Sequence, residues 1–276
     1  MQTRQEVIQT SLPYKLTLPS GSSRIVGPDS SEPGFLAHLT RITTDVALDF
    51  SDTQIAAGDG ALIGDMYRGG RSVVLDLLIA ERDPVERARR IEWISRLNGL
   101  LRGPEGLTLS WKEATGWEKE VSNLRPAAYI TVSDAWPKEL QVTLKTGSPF
   151  ILSSEIHSRE IANAAGQTEL FNGGTAPASP RFWVYGPFSN FEIANLLTGE
   201  QLLYSGFVPV GDYLEIDTAR RTVLRNGTQN AYGGIDFSTS SFFSIPPLSA
   251  EVPLSFSAAG GASPTRLVTR WQSSWE

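Results

Sequence analysis

Two histidines, His38 and His157, are the only imidazoles in the chain, and cysteine is absent. These facts bound the available chemistry. Without a thiol there is no Cys nucleophile, Cys-ligated zinc, iron–sulfur cluster or disulfide framework. With two histidines far apart in sequence, a multi-His metal site within one chain is not expected. A Ser-His-Asp triad would have to use one of them, and no G-x-S-x-G elbow is present to supply the serine. His38 lies in the apolar run Phe35-Leu36-Ala37-His38-Leu39 and reads as structural, and His157 reads as a surface residue. A glycosidase needs only two carboxylates, but no spacing among the 30 acids singles out a pair. No catalytic, cofactor-binding or metal-binding residue is therefore nominated, no cofactor is expected, and the chain reads as a non-enzyme.

Three other patterns have a functional reading and a plainer one. Gly58-Asp59-Gly60-Ala61-Leu62-Ile63-Gly64 resembles a dinucleotide loop, but it has one residue too many before the last glycine and no helix follows. Asp45, Asp49, Asp52, Asp59 and Asp65 do not match the spacing of a calcium loop and read as a solvated acidic face. Trp183, Tyr185, Trp271 and Trp275 are the aromatic residues from which a platform for sugars could be built. The first and third sit inside predicted strands and read as core, while Trp275 at the end of the chain reads as exposed. Asn226-Gly227-Thr228 is a glycosylation sequon, better read as a hairpin turn in which Asn-Gly supplies positive φ.

The elements that must hold these residues are mainly strands. Tyr14–Leu18 alternates apolar and polar, Arg24–Val26 reads as a short strand, and residues 36–50 hold one or two more. Residues 51–65 read as a mobile glycine- and aspartate-rich loop, and Arg71–Ala80 as a strand. One helix is predicted, over 84–102. Asp83 caps it, Pro84 opens it, Ala88, Ile91, Ile94, Leu97 and Leu101 form its apolar face, and Gly103-Pro104 stops it. Strands resume at Leu107–Trp111, Ala127–Val132 and Glu139–Lys145, so residues 1–152 read as one β domain carrying the helix. Residues 153–180 turn small and polar and read as a connecting segment. Beyond it, short strands are predicted at 181–185, 191–195, 201–205, 212–217, 221–225, 235–237, 242–245, 252–256 and 266–272, with glycine-marked turns between several of them. That pattern predicts a β-sandwich, placing the second domain at 153–276, with residues 159–276 expected to fold alone.

Composition agrees. A chain of 276 residues with 25 glycines, 17 prolines and 26 aromatic residues suits a turn-rich mainly-β protein. Its net charge of −6 is shared by both halves, which argues against a nucleic-acid binder. No apolar stretch suggests a signal peptide or a membrane span, so a soluble protein made in a cytoplasm is expected.

The second half resembles the C-terminal sandwich of phage distal tail proteins (Dit) from long-tailed, non-contractile phages. The pieces that carry the resemblance are Asn172-Gly173-Gly174-Thr175-Ala176-Pro177 with Pro180, then Arg181–Gly186 (RFWVYG), Asn195–Gly199 (NLLTG), Gly211–Asp217 (GDYLEID), Arg221–Asn226 (RTVLRN), Ser240–Phe243 (SSFF) and the closing Arg266–Trp275. In the first half the Asp59-Gly60 turn, Arg71 opening its strand, the helix, and Gly147-Ser148-Pro149-Phe150 fit the same family more loosely. The sequence departs from many relatives at Ile245–Ser249 (IPPLS), where they carry Pro-Gly-x-Asn, and it has no room for an inserted carbohydrate-binding module. The resemblance implies an N-terminal β-sandwich or split barrel carrying the helix and a galectin-like C-terminal sandwich. It also implies a homo-hexameric ring at the virion tail tip, assembled in the host cytoplasm. The ring would join the tail tube protein to the tail hub and tail-associated protein, with the tape measure and receptor-binding proteins as further partners. No membrane and no sequence-specific nucleic acid is implied. Such a ring encloses a DNA channel, and the acidic 45–65 stretch suits its lining, because a basic lumen would hold phosphates. The competing readings are a glycan-binding adhesin module of the tail tip and a cell-wall hydrolase component.

Overall fold

The computed structural model describes residues 3–8, 14–17, 23–26, 37–54, 61–79, 106–113, 115–131, 138–260 and 264–276. The helix predicted over 84–102 and the Asp59-Gly60 turn lie outside them. The chain is mainly β and divides into two compact units, Met1–Ile151 and Leu152–Glu276. Among the described residues no helix is long and apolar enough to cross a membrane.

Among the described residues the first unit holds eight strands: β1 (Thr3–Ile8), β2 (Tyr14–Thr17), β3 (Ser23–Val26), β4 (Ala37–Gln54), β5 (Ala61–Ile79), β6 (Leu107–Lys112), β7 (Glu118–Thr131) and β8 (Lys138–Thr146). They pair in the order β1-β4-β5-β8-β7-β6-β2-β3, every pair antiparallel. One face buries Ile42, Val73, Leu75, Val142 and Leu144, and farther along the path Leu107, Leu109, Trp111, Val121 and Leu124 are buried on β6 and β7. Period-2 alternation puts them on one side of their strands, except that Val121 and Leu124, three residues apart, share a side through the bulge in β7 at Asn123, φ +55°.

Residues 51–65 are not one loop. Residues 51–54 end β4, and Ala61 opens β5, paired back through Gln54↔Ala61, Thr53↔Leu62 and Asp52↔Ile63. Aspartate and glycine are poor strand formers, but the cross-strand ladder of a long hairpin overrides that weak preference.

The second unit follows β9 (Ile151–Ser153). Its strands are β10 (His157–Ile161), β11 (Ala165–Asn172), β12 (Arg181–Tyr185), β13 (Phe188–Asn195), β14 (Gln201–Val208), β15 (Tyr213–Asp217), β16 (Thr222–Arg225), β17 (Gln229–Asn230), β18 (Ser249–Ala259), β19 (Arg266–Trp271) and β20 (Ser274–Trp275). Six form one sheet in the order β10-β19-β12-β15-β16-β17, and four form the other, β11-β18-β13-β14. One apolar cluster joins the two: Phe182, Val184, Leu214, Ile216 and Leu267 from the first sheet, Phe191, Ile193, Leu202, Tyr204, Leu254 and Phe256 from the second. The Phe191 and Tyr204 rings stack at 5.3 Å, and Phe188 meets Phe191 edge-on at 5.4 Å. Burying each large apolar side chain stabilises by about 1.5–3 kcal/mol, so the seal between the sheets is the main source of this unit's stability.

The sandwich corrects three expectations. The connecting segment expected at 153–180 contains β10 and β11. Each is an edge strand, and most of their residues stay in solvent, so the pattern shows little apolar alternation. The strand expected at 235–237 is a 3₁₀ turn over Tyr232–Gly234 followed by a single bridge, Tyr204↔Ile235, because the Asp236 carboxylate accepts hydrogen bonds from Ser238 and Thr239 and bends the chain. At 242–245 only Ile245 pairs, with Ala178, and Pro246-Pro247 then lack the N–H groups a ladder needs.

β10 begins at His157, so a fragment cut at 159 would lose part of it. We expect Leu152–Glu276 expressed alone to be soluble and to unfold in one cooperative transition. A fragment of residues 163–276, lacking β10, should melt roughly 5 °C lower or more, because an edge of β19 is uncovered. Equal melting midpoints by calorimetry would show that β10 contributes nothing.

Candidate functional site

The residues considered for catalysis do not converge. His157 opens β10 opposite Trp271, its ring 5.4 Å from the indole, with Nδ1 3.7 Å from the exposed Glu155 carboxylate. Its buried Nε2 has no hydrogen-bond partner, so no serine is activated there. His38 sits on β4 opposite Leu78. Asp45, Asp49 and Asp52 are spread along β4 and Asp65 lies on β5. Among the described residues no group of three His, Asp or Glu side chains is placed to hold a metal.

The aromatic residues do not form an open platform. Trp271 is buried, and so is Trp275, which was expected to be exposed. Its strand β20 tucks against the start of the unit: Ser153 N–H donates to Ser273 O at 2.8 Å, and the side-chain amide of Gln272 donates to Ser153 O at 2.6 Å. Trp183 and Tyr185 are half-buried on β12, and each ring has a guanidinium over it, Arg270 at 5.2 Å and Arg266 at 4.5 Å.

The built feature is a polar latch around Asn172, which is fully buried. Its Nδ2 donates to Ala176 O at 2.8 Å and to Ile245 O and Pro246 O, each at 3.2 Å. Its Oδ1 accepts from Gly174 N at 3.0 Å and Ser274 N at 3.3 Å. One side chain thereby ties the end of β11, the Ile245-Pro246 turn and β20. Ala176 N donates to Ser274 O at 2.9 Å, Leu248 N to Gly174 O at 2.9 Å, and Trp271 Nε1 to Phe171 O at 2.6 Å. A Cβ at Gly174 would overlap the Ser274 carbonyl, so the second glycine of Asn172-Gly173-Gly174 is there for close backbone approach. The departure at IPPLS is absorbed here: Leu248 takes φ +51°, the left-handed conformation usually left to glycine.

The other pieces that carried the resemblance also touch one another. Arg181, opening RFWVYG, pairs with buried Asp217, closing GDYLEID, at 2.9 Å. Asp212 accepts from Arg225 Nε at 2.8 Å, again from Arg225 Nη2, and from Asn226 Nδ2 at 3.0 Å, joining GDYLEID to RTVLRN. Asn226 Oδ1 accepts from Tyr213 N, and Asn226 (φ +51°) and Gly227 (φ +72°) make the expected turn. In NLLTG, buried Asn195 accepts from Leu197 N and Thr198 N, holding Leu196 and Leu197 out in solvent. Ser240 of SSFF accepts from Leu203 N at 2.8 Å, and Phe243 packs on Phe182. In the first unit, buried Arg71 donates through Nε and Nη2 to Pro149 O at 3.0 and 2.8 Å and through Nη1 to Thr44 at 3.0 Å, linking the two pieces noted there. The Asn226 hydrogen bond, then the Arg225 hydrogen bonds, hold the Asp212 carboxyl below the usual carboxylate range. Ser238 and then Thr239 do the same for Asp236. Hydrogen bonding favours the charged form in both cases. The arrangement holds loops in place; it does not activate a group.

Residues 173–275 match the family model of the siphovirus-type tail component, C-terminal domain. The match covers most of the second unit. The resemblance to phage distal tail proteins is borne out, and the match supports a structural phage-tail component. The fold of the whole chain is similar to the crystal structure of the Dit protein (gp 19.1) of phage SPP1, described as a paradigm of the hub adsorption apparatus in phages infecting Gram-positive bacteria. That likeness has a TM-score of 0.65 at 12% identity and covers 95% of this chain and 99% of that one. The phage P2 baseplate in its activated conformation with calcium also matches, with a TM-score of 0.48 at 8% identity over 95% of this chain and 98% of that one. No curated protein matches.

Asn172→Ala should destabilise the sandwich by about 3 kcal/mol, because it leaves buried N–H and C=O groups unpaired. Denaturant titration checks this against Gln229→Ala on an exposed strand, which should stay within about 0.5 kcal/mol. For Asp212 the sign follows from its lowered folded pKa. Its contribution is present above the unfolded carboxylate pKa and lost as pH falls through the folded one. Asn226→Ala should move the Asp212 titration upward, read by carbonyl NMR. Identical curves for the two proteins would show that the hydrogen bond does not hold the charge.

Proposed function

We propose that this chain is a phage distal tail protein. Six copies form a ring that joins the tail tube to the tail hub and receptor-binding apparatus, through buried interfaces and without catalysis. The observation that carries the reading is the coincidence of a tail-component domain at 173–275 with a fold that follows SPP1 Dit over almost the whole of both chains. The first unit, with its long antiparallel strands, forms the ring, and the sandwich faces the neighbouring tail proteins. Exposed Phe207, Val210, Leu196 and Leu197 on the sandwich support the second role, since exposed large apolar residues mark protein contacts. Assembly takes place in the host cytoplasm, before the particle is released.

Native mass spectrometry of the purified chain should give a six-fold multiple of the protomer mass, and negative-stain images should show a ring with a central opening. Antibody against the chain should label intact particles at the tail tip. Label along the tube or on the capsid, or a closed assembly of another order, would overturn the reading.

A further inference from the structure

The β11 edge of the four-stranded sheet carries backbone groups that the chain leaves unpaired. In β18 the Pro253 carbonyl accepts from Leu196 N–H at 2.9 Å, so Pro253 faces β13. Backbone direction alternates along a strand, so Val252, Leu254 and Phe256 face β11 instead. They pair there with Leu170, Thr168 and Gly166. Gln167 and Glu169, which alternate with those three, therefore turn their N–H and C=O groups away from β18 and out of the sheet. Both residues are exposed, and among the described residues neither backbone has a partner on that side.

A cavity of about 470 Å³ lies against this strand, and its lining includes the five consecutive residues Gln167–Phe171. Successive side chains of a strand point to opposite faces, so a space that touches five in a row runs along the edge and not over one face. Two of the other edges of the sandwich are closed or short. β14 is covered by residues 236–241, where Asp236 N–H donates to Leu203 O at 3.1 Å, Ser241 N–H to Gln201 O at 2.9 Å and Leu203 N–H to the Ser240 hydroxyl at 2.8 Å. β17 is two residues long. Natural sheets protect their edges by such devices. β11 has eight residues, and ahead of its bulge after Leu170 the edge at Gln167 and Glu169 has no such cover.

The charges around the cavity are open as well. Glu169 stands opposite Pro253, so Glu251, two residues along β18, is its diagonal neighbour on the same face, roughly 7–8 Å away. Across the cavity stands Arg159 of β10. It pairs with Thr269, which pairs in turn with buried Phe182, so Arg159 springs from the inner face of its sheet. Among the described residues none of Glu169, Glu251 and Arg159 makes an ion pair.

A strand placed one spacing beyond β11, about 4.8 Å away, meets the free N–H and C=O groups of Gln167 and Glu169 with its own backbone. Its side chains alternate. Those on the outer face lie beside Glu169 and Glu251, which calls for a basic residue. Those on the inner face lie beside Thr168, Leu170 and Arg159, which calls for a small or acidic one. In strand addition of this kind main-chain bonds supply the attachment and alternate side chains supply the selection.

We propose that the β11 edge takes up an extended segment of a partner protein as a fifth strand of the four-stranded sheet, with a basic side chain of that segment set between Glu169 and Glu251. The assignment rests on the sandwich and not on the six-fold ring.

The test is fluorescence anisotropy of labelled peptides titrated with the full chain. The first probe is a capped heptapeptide of alternating valine and threonine with a central lysine. The second has glutamate in place of that lysine. The third is the lysine peptide with every backbone amide N-methylated, which leaves it no N–H to donate. Wild type is expected to bind the first saturably at about 1 mM or below, the second about tenfold more weakly or worse, and the third not at all. Gln167→Pro removes one edge donor without touching the β18 ladder and should weaken the first probe by about tenfold or more. Glu169→Lys should reverse the preference between the first two. Melting curves matched to wild type keep a folding defect from imitating either effect. Native mass spectrometry of the same samples should show the same assembly in both variants as in wild type, so failure of peptide binding and failure of the ring are told apart. No saturable binding of the lysine peptide, equal binding of the N-methylated one, or unchanged binding by both variants would overturn the proposal. Self-association of wild type that Gln167→Pro abolishes would give the edge to a second copy and overturn the partner segment.

Discussion

A buried amide that must satisfy all of its hydrogen-bonding capacity organises the C-terminal sandwich. Asn172 lies at the end of an edge strand, where the ladder stops and backbone groups would otherwise face the core unpaired. An unpaired polar group buried there costs about 1–3 kcal/mol, a sizeable share of a domain's net stability. The Asn172 side chain meets that demand for three separate stretches of backbone at once, residues 174–176, the Ile245-Pro246 turn and Ser274. The C-terminal strand, the late proline turn and the first long strand of the sandwich therefore take up their positions together. The glycine two residues on follows from the same demand, since the chain passes too close to Ser274 for any side chain.

The first unit uses the same device with a cation. The Arg71 guanidinium is sealed from solvent and spends its planar donor fork on one carbonyl, Pro149 O, with Thr44 taking a third N–H. That geometry needs arginine, because a lysine ammonium cannot present two fixed parallel donors. It explains why a strand-opening arginine and a Gly-Ser-Pro-Phe stretch 76 residues later occur in the same chain. The Arg181–Asp217 and Arg225–Asp212 pairs repeat the theme nearer the surface. Every one of these polar groups is engaged in holding backbone or closing a hairpin.

Much of the fold was legible because most strands are half-buried and alternate. Arg181–Tyr185 was predicted to the residue, since Phe182 and Val184 face the core between Arg181, Trp183 and Tyr185. Asn226-Gly227 announced its turn, because few residue pairs tolerate two successive positive φ angles. β10 and β11 were missed for the converse reason. Edge strands bury little, and their composition of Ser, Gln, Thr and Glu is that of a loop. The end of β4 and the start of β5 were missed because cross-strand pairing, and not residue preference, makes them extended.

The sequence by itself determined the class of the protein: mainly β, without thiol or clustered imidazole chemistry, with an ordered set of short motifs resembling those of phage distal tail proteins. Composition, period-2 alternation and turn chemistry are local properties, and local properties can be read along a chain. What the tertiary structure alone decided is why those motifs occur together. Asn172 and Ser274 are 102 residues apart and Arg71 and Pro149 are 78 apart, yet each pair is joined by a hydrogen bond. The buried position of Trp275 likewise exists only once strands distant in sequence lie side by side. Hydrogen-bond satisfaction is settled between neighbours in space, and nothing in a linear pattern records who those neighbours will be.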